Sequence, residues 1–186
     1  MTTSDADSHS GSAHHADAAT FSASATKSDI YSTALDAAEA LFSDTNFWPS
    51  NLANAASLMW YAFEALEMKV NWAGFYICSP DEPKSKLLLG PFMGKVACQS
   101  IVIGSGVCGT AAATRETQVV PDVEKYPGHI ACDGETKSEV VVPLVDREGG
   151  VHGVLDVDCL VLDGFTEDDV KFLEKMAALI ITFCKF

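Results

Sequence analysis

Three of the six cysteines in the chain lie in segments that suit redox chemistry. Cys132 lies in the polar stretch PGHIACDGE, where a thiol is accessible and its loop is free to move. Cys108 lies at the predicted start of a short helix, where backbone amides favour a thiolate. Cys98 begins a predicted strand. The three together suggest an attacking thiol with a resolving partner, and nearby His129 either assists or is a surface residue without a catalytic role.

The other cysteines have simpler interpretations. Cys78 ends a predicted strand and Cys184 ends the last predicted helix, so both are interpreted as small hydrophobic residues. Cys159 follows an acidic pair in the sequence but should point away from it. No C-x-x-C pair is present, so the strongest zinc signature is missing. A zinc site assembled from scattered ligands stays open as an alternative.

An acidic pair lies in the predicted strand GVLDVDC. Asp156 and Asp158 are two residues apart and therefore project from the same face of the strand, where aspartate is disfavoured. Glu139 opens the neighbouring strand EVVVPL, and antiparallel pairing would bring it beside the aspartates. Three such carboxylates would bind an ammonium group, and one kept protonated by its neighbours would serve as an acid. The simpler alternative is an exposed strand end.

The predicted strand NWAGFY places two aromatic rings on one face. Trp72, Gly74 and Tyr76 alternate with Ala73 and Phe75, so the two rings flank a glycine. A notch between rings could hold a small apolar or partly cationic group. Taken alone, the strand favours plain core packing over this binding role.

These residues require a mixed fold in the α/β (α+β) class. Apolar spacing and turn residues predict helices over about 28–42, 49–68 and 107–115, and a last helix capped by Thr166 that runs to about 183. Strands are predicted over 72–78, 86–90, 98–103, 117–120, 139–146 and 151–159. A hairpin at Gly149-Gly150 and the clustered strands predict a central, mostly antiparallel sheet covered by helices. The irregular stretch 121–138 is long enough to suggest a functional loop.

Composition limits the partners of the chain. A formal net charge of −14 over 186 residues opposes binding to nucleic acid or to an anionic membrane, which need a basic face. No apolar run is long enough to span a membrane, and no secretory signal or Arg-rich presequence is visible, so a cytoplasmic location is predicted. Residues 1–27 are polar and predicted to be a disordered tail, with the folded domain over 28–186.

Five motifs together resemble a known family. The segments NWAGFY, GPFMGKVACQSI, GVCGTAA, VPDVEKYPGHIACDGETKSEVVVPL and GVLDVDC occur in the order and spacing found in the free methionine-R-sulfoxide reductases, which are single GAF-domain enzymes. The resemblance covers about residues 28–184. It implies a GAF-like fold, and reduction of free L-methionine-R-sulfoxide rather than the oxidised residue within a protein.

The resemblance also implies roles for the residues above. It makes Cys132 the thiol that attacks sulfur, and Cys98 and Cys108 the source of its disulfide partner. It also implies that three carboxyls hold the amino group and the sulfoxide oxygen of the substrate, namely those of Glu139, Asp156 and Asp158. The rings of Trp72 and Tyr76 would line the methyl end.

Such enzymes use no bound cofactor and recycle through thioredoxin or a similar dithiol reductant, and GAF domains often pair as homodimers. Two other functions are compatible with the same residues. A ligand-sensing GAF module would bind rather than react, although 186 residues leave little room for the output domain that a sensor normally carries. A redox-switch or zinc protein would use the same thiols.

Overall fold

The protein is a six-stranded antiparallel sheet with helices on both faces. The computed structural model describes residue 17 and residues 19–82, 85–130 and 132–186. The helices are α1 (Lys27–Ser43), α2 (Trp48–Ala65), α3 (Gly106–Thr114) and α4 (Glu167–Phe183). The strands are β1 (Val70–Cys78), β2 (Lys86–Gly94), β3 (Ser100–Val102), β4 (Gln118–Val120), β5 (Ser138–Val145) and β6 (Val151–Cys159). The predicted order of helices and strands is confirmed.

The sheet order is β3-β2-β1-β6-β5-β4, and every neighbouring pair is antiparallel. Alternation along the strands gives the sheet two different faces. On one face Ala73, Phe75 and Val157 pack with α1, α2 and α4 in the larger hydrophobic core. On the other face Trp72 and Tyr76 pack with α3 in a smaller core. The smaller core contains the residues with candidate chemistry.

Two helix ends differ from the prediction. The first helix, predicted to begin near residue 28, begins at Lys27 and is capped by Thr26, because Thr26 and Asp29 form a reciprocal capping box. The second helix ends at Ala65, before the predicted Met68. Glu67 has a φ of 55°, and the amide of Met68 bonds back to the carbonyl of Phe63. This left-handed C-terminal motif usually contains glycine, so the sequence did not indicate it.

The two strands before α3 also differ from the prediction. β2 continues to Gly94 instead of ending near residue 90, and its pairing with β1 shifts between Gly74 and Tyr76. Pro91 lies at this shift and has no amide hydrogen to donate, and a strand accommodates proline at an irregularity of this kind. β3 spans only Ser100–Val102, so Cys98 precedes the strand instead of beginning it.

Part of the predicted tail contacts the domain. Ala19, Phe21 and Ala25 pack against the larger core. Residues 1–16 and residue 18 lie outside the described residues, so disorder of the tail and the domain boundary at 28 remain predictions. Within the described part of the chain, no helix is long and apolar enough to cross a membrane.

Candidate active site

A cavity of about 580 Å³, including its mouth, lies between the second face of the sheet, α3 and the long loop before β5. With the exception of Cys98, all the candidate residues line it: Trp72, Tyr76, Cys108, Cys132, Glu139, Asp156 and Asp158. Cys98 is bonded to one of them. The irregular stretch 121–138 therefore forms part of a pocket wall, through His129, Ile130 and Cys132.

The pocket mouth carries a disulfide between Cys98 and Cys132. Their Cα atoms are 5.7 Å apart, within the usual range for a disulfide, although 34 positions separate them in sequence. Cys132 is exposed and Cys98 is half-buried. A disulfide at the surface is accessible to an external thiol, whereas a structural disulfide is usually enclosed.

Ion pairs join the two loops that carry these cysteines. Lys95, three residues before Cys98, pairs with Asp133 at 3.5 Å and with Glu135. The Asn71 amide at the start of β1 donates to Asp133 Oδ2 at 3.3 Å. These contacts do not involve sulfur, so they join the two loops independently of the disulfide. The sequence signal for Lys95 was its position in GKVACQS, but nothing local indicated its partners.

The register of β1, β5 and β6 brings the three carboxyls together. Glu139 lies opposite Asp158 on one side of β6, and Trp72 lies opposite Asp158 on the other. The antiparallel pairing that was predicted to bring Glu139 beside the aspartates is therefore present. Glu139 and Asp156 are each 6% exposed. The alternative of an exposed strand end for the aspartate pair is wrong for Asp156, and Asp158 is half-buried.

Burial controls the protonation of this acidic group. Burial, with a contribution from Asp158, raises the pKa of Glu139 to about 7, against an opposing effect of His129. Burial and the charge of Glu139 raise the pKa of Asp156 well above its ordinary value. Burial and the charge of Asp156 do the same to the pKa of Asp158. The pocket therefore holds carboxylic acids that can donate a proton near neutral pH.

His129 is closer to the acids than its sequence position indicated. Its Nε2 atom lies 3.5 Å from Glu139 Oε2, and its side chain is 15% exposed. A histidine in a polar loop resembles any surface histidine in the sequence. Only the return of the loop over the sheet places the ring against the carboxyl of β5.

Cys108 differs from the sequence-based expectation of a thiolate. It is 5% exposed, and its sulfur lies 4.0 Å from Glu139 Oε1. Burial, followed by the charges of Asp156 and Glu139, raises the pKa of this thiol well above its ordinary value. The desolvation of the thiol outweighs any favourable effect of the α3 N-terminus. Cys108 is therefore a protonated thiol on the pocket wall.

The aromatic face of β1 is closed rather than notched. The Trp72 ring stacks on Tyr76 at 5.8 Å and on Phe92 at 5.3 Å between centroids. A Cβ atom on Gly74 would lie 2.8 Å from the Trp72 ring and would also meet Phe92. The structure therefore agrees with core packing, which the strand alone favoured, and the alternative of a notch is wrong because the neighbouring strand β2 fills that space with Phe92. Trp72 and Tyr76 instead form a continuous apolar wall of the pocket.

Two buried polar atoms in this region have no hydrogen-bond partner among the described residues: Trp72 Nε1 and Asp156 Oδ1. Both residues line the pocket. A buried polar group without a partner is costly, so both atoms indicate a polar ligand. One donor atom each of Cys108, Glu139 and Asp156 also lies within 4.8 Å of the other two. These three atoms are close enough to hold a metal ion.

The remaining cysteines lie away from the cavity lining. Cys159, which was predicted to point away from the acidic pair, is buried and does not line the cavity. Cys78 is half-buried and its sulfur lies 3.2 Å from the Val151 carbonyl. Cys184 is half-buried beside the Asn51 amide. None of the three contributes to the cavity lining described above.

Comparisons with known proteins agree with this architecture. A family model for the GAF domain matches residues 53–181. The free methionine-R-sulfoxide reductase of Saccharomyces cerevisiae is 53% identical over 173 residues, covering 93% of this chain and 96% of that protein. The Escherichia coli protein of the same name is 40% identical, covering 82% and 87%. The structure of free methionine-R-sulfoxide reductase from Neisseria meningitidis in complex with its substrate is 38% identical with a TM-score of 0.76, covering 88% and 92%.

Proposed function

Because this chain belongs to the free methionine-R-sulfoxide reductase family of GAF-domain proteins, we propose that it reduces free L-methionine-R-sulfoxide to L-methionine. The observation that carries the proposal is the Cys98–Cys132 disulfide at the mouth of a pocket whose wall includes the carboxyls of Glu139, Asp156 and Asp158. A ligand sensor needs the pocket but has no use for an accessible disulfide beside it. The pocket and the disulfide together support an enzyme.

Substrate binding is assigned to the acidic group and the aromatic wall. The substrate ammonium pairs with the carboxylate that ionises when a cation enters the pocket, since a nearby positive charge favours the charged form. The S-methyl group lies against Trp72 and Tyr76, whose stacked rings are buried and apolar. A free amino group is therefore part of recognition, and a peptide-bound sulfoxide lacks it.

The reaction transfers oxygen from the substrate to sulfur of the enzyme. A protonated carboxyl among Glu139, Asp156 and Asp158 donates a hydrogen bond or proton to the sulfoxide oxygen, which makes the substrate sulfur electrophilic. Cys132 attacks that sulfur and forms a transient S–S bond. The hydroxyl then passes from the substrate sulfur to the Cys132 sulfur as the S–S and substrate S–O bonds break, so methionine leaves and Cys132 becomes a sulfenic acid. The Cys98 thiol then displaces water from Cys132 and forms the disulfide.

The cycle closes when an external dithiol reduces the disulfide and is itself oxidised. We assign this step to thioredoxin or a similar dithiol reductant, because Cys132 is exposed to a macromolecular partner. A cytoplasmic location follows from the same chemistry, since reducing compartments supply such dithiols. The proposal also includes the pairing of two copies of the chain into a homodimer. Cys98 takes the resolving role here, which leaves Cys108 without a redox step.

The decisive experiment measures methionine release from both epimers of free methionine sulfoxide, with dithiothreitol as the reductant. We expect turnover of the R epimer and little of the S epimer. N-acetyl-methionine-R-sulfoxide serves as the matched control, because it keeps the sulfoxide and removes the ammonium charge. Comparable turnover of the acetylated compound would contradict the assigned role of the carboxyls, and no turnover of either free epimer would refute the proposed function.

A further inference from the structure

One thiol and two carboxyls in the pocket form a compact set of metal donors. Atoms of Cys108, Glu139 and Asp156 lie within 4.8 Å of one another, and all three residues are buried. The reaction proposed above uses carboxyls from this set but gives the Cys108 thiol no redox step. The thiol therefore needs another explanation for its position among acids.

The pocket also contains a buried oxygen that lacks a partner. Asp156 is 6% exposed, and its Oδ1 atom accepts no hydrogen bond within the described part of the chain. Leaving such an oxygen desolvated and unpaired is unfavourable, so it indicates a ligand with positive or donor character. This observation is independent of the thiol.

The spacing of the donors is close to that of a zinc site. Zinc bonds of about 2.3 Å to sulfur and about 2.1 Å to oxygen imply tetrahedral donor separations of about 3.4–3.6 Å. Cys108 Sγ and Glu139 Oε1 are 4.0 Å apart, so small side-chain rotations bring them to that distance.

The donor types select the metal. A thiolate favours Zn²⁺ and other thiophilic ions, whereas Mg²⁺ and Ca²⁺ prefer sites made entirely of oxygen. A carboxylate-only cluster would have no such selectivity. The presence of Cys108 among the carboxyls therefore distinguishes this set from an ordinary acidic pocket.

We propose that Cys108, Glu139 and Asp156 bind Zn²⁺ or a similar thiophilic cation, and that the bound ion reversibly blocks the substrate pocket. Binding releases the Cys108 proton and any carboxyl protons to the solvent, and no electron is transferred. The ion and the substrate ammonium compete for the same two carboxyls. The competition rests on the proposed function, whereas metal binding itself does not.

The binding test uses the full-length protein with the Cys98–Cys132 disulfide formed, so that these two thiols cannot bind metal. His9, His14 and His15 in the N-terminal segment are replaced by Ala to remove other imidazoles. Zn²⁺ is titrated against a chromophoric chelator. We expect one equivalent to bind, with affinity reduced at least about tenfold by Cys108→Ser. The half-buried Cys184→Ser control keeps the parent affinity.

Three further measurements make the result specific. Asp156→Asn should also weaken Zn²⁺ binding, and it provides a second variant if Cys108→Ser fails to fold. Cd²⁺ should produce a thiolate-to-metal charge-transfer absorption that Cys108→Ser removes and Cys184→Ser retains. Millimolar Mg²⁺ should not displace Zn²⁺. Free methionine-R-sulfoxide should raise the apparent dissociation constant for Zn²⁺.

Several outcomes would overturn the inference. These are a stoichiometry of zero, unchanged affinity in both pocket variants, equal competition by Mg²⁺, or zinc binding that the substrate leaves unaffected. Turnover of the sulfoxide is measured separately in the presence of a metal chelator. Normal turnover without zinc binding refutes this inference alone, and zinc binding without turnover refutes only the proposed function and the competition that depends on it.

Discussion

Glu139→Gln should make the protein more stable at alkaline pH and less active at all pH values. The side chain is 6% exposed, and burial raises its pKa from 4.5 to about 7. Ionising this group in the folded protein therefore costs free energy that the unfolded chain does not expend. Glutamine has nearly the same shape and never ionises, so the variant avoids that cost.

The expected magnitude follows from the change in pKa of Glu139. Below pH 4.5 the carboxyl is protonated in both states, and it favours neither state. As pH rises from 4.5 to about 7, the unfolded chain releases this proton while the folded protein retains it, so the folded protein loses stability over that range. At 1.36 kcal/mol for each pKa unit, the full loss is about 3 kcal/mol above that pH. The variant should therefore exceed the parent by about 3 kcal/mol at pH 8.5 and match it near pH 4.

Urea unfolding of parent and variant at pH 4 and pH 8.5, with chelator present and the disulfide formed, measures this difference. The matched control is Glu64→Gln on the exposed surface of α2, which should show no pH-dependent gain. Methionine release should fall about 100-fold or more in Glu139→Gln, because a group that stabilises the transition state is lost. Equal stability of parent and variant at both pH values, or an unchanged rate, would refute the reasoning.

Three other changes test the thiols, the ion pairs and the N-terminal segment. Cys132→Ser should release no methionine even in a single turnover, whereas Cys98→Ser should release one equivalent and then recycle poorly; a burst in Cys132→Ser would assign the attack to another thiol. Lys95→Met should slow disulfide formation a few-fold, measured as a longer lifetime of the trapped sulfenic acid, without slowing the first methionine release; an unchanged lifetime would remove the positioning role. Deleting residues 1–16 should leave the melting temperature unchanged, whereas Thr26→Ala should cost about 1 kcal/mol by removing the cap of α1. An equal loss of stability from the deletion and from Thr26→Ala would mean that residues 1–16 also contribute to the stability of the domain.

Much of the fold follows from local patterns in the sequence. Asp156 and Asp158 lie on one face because a strand alternates with a period of two, and this holds wherever the strand is placed. Thr166 is the N-cap residue of α4 as predicted, and its amide donates to the Asp169 carboxylate. The family resemblance likewise depended only on short motifs and their order. These features require no knowledge of distant contacts.

Other features depend on which segments meet. Phe92 fills the space beside Gly74 because β2 is longer than its apolar pattern predicted. Cys108 is a protonated thiol because α3 buries it against the carboxyls of two other segments, which a helix N-terminus viewed alone does not reveal.

The pairing of Cys132 was likewise open in the sequence, where Cys98 and Cys108 were both candidates. The loop after β2 and the loop before β5 bring Cys98 within disulfide reach, and ion pairs of Lys95 join the same two loops. Residue types and spacing determined which groups could react, because alternation and motif order are local properties of the chain. Protonation, burial and thiol pairing were decided only by the tertiary structure, because each depends on neighbours contributed by segments far apart in sequence.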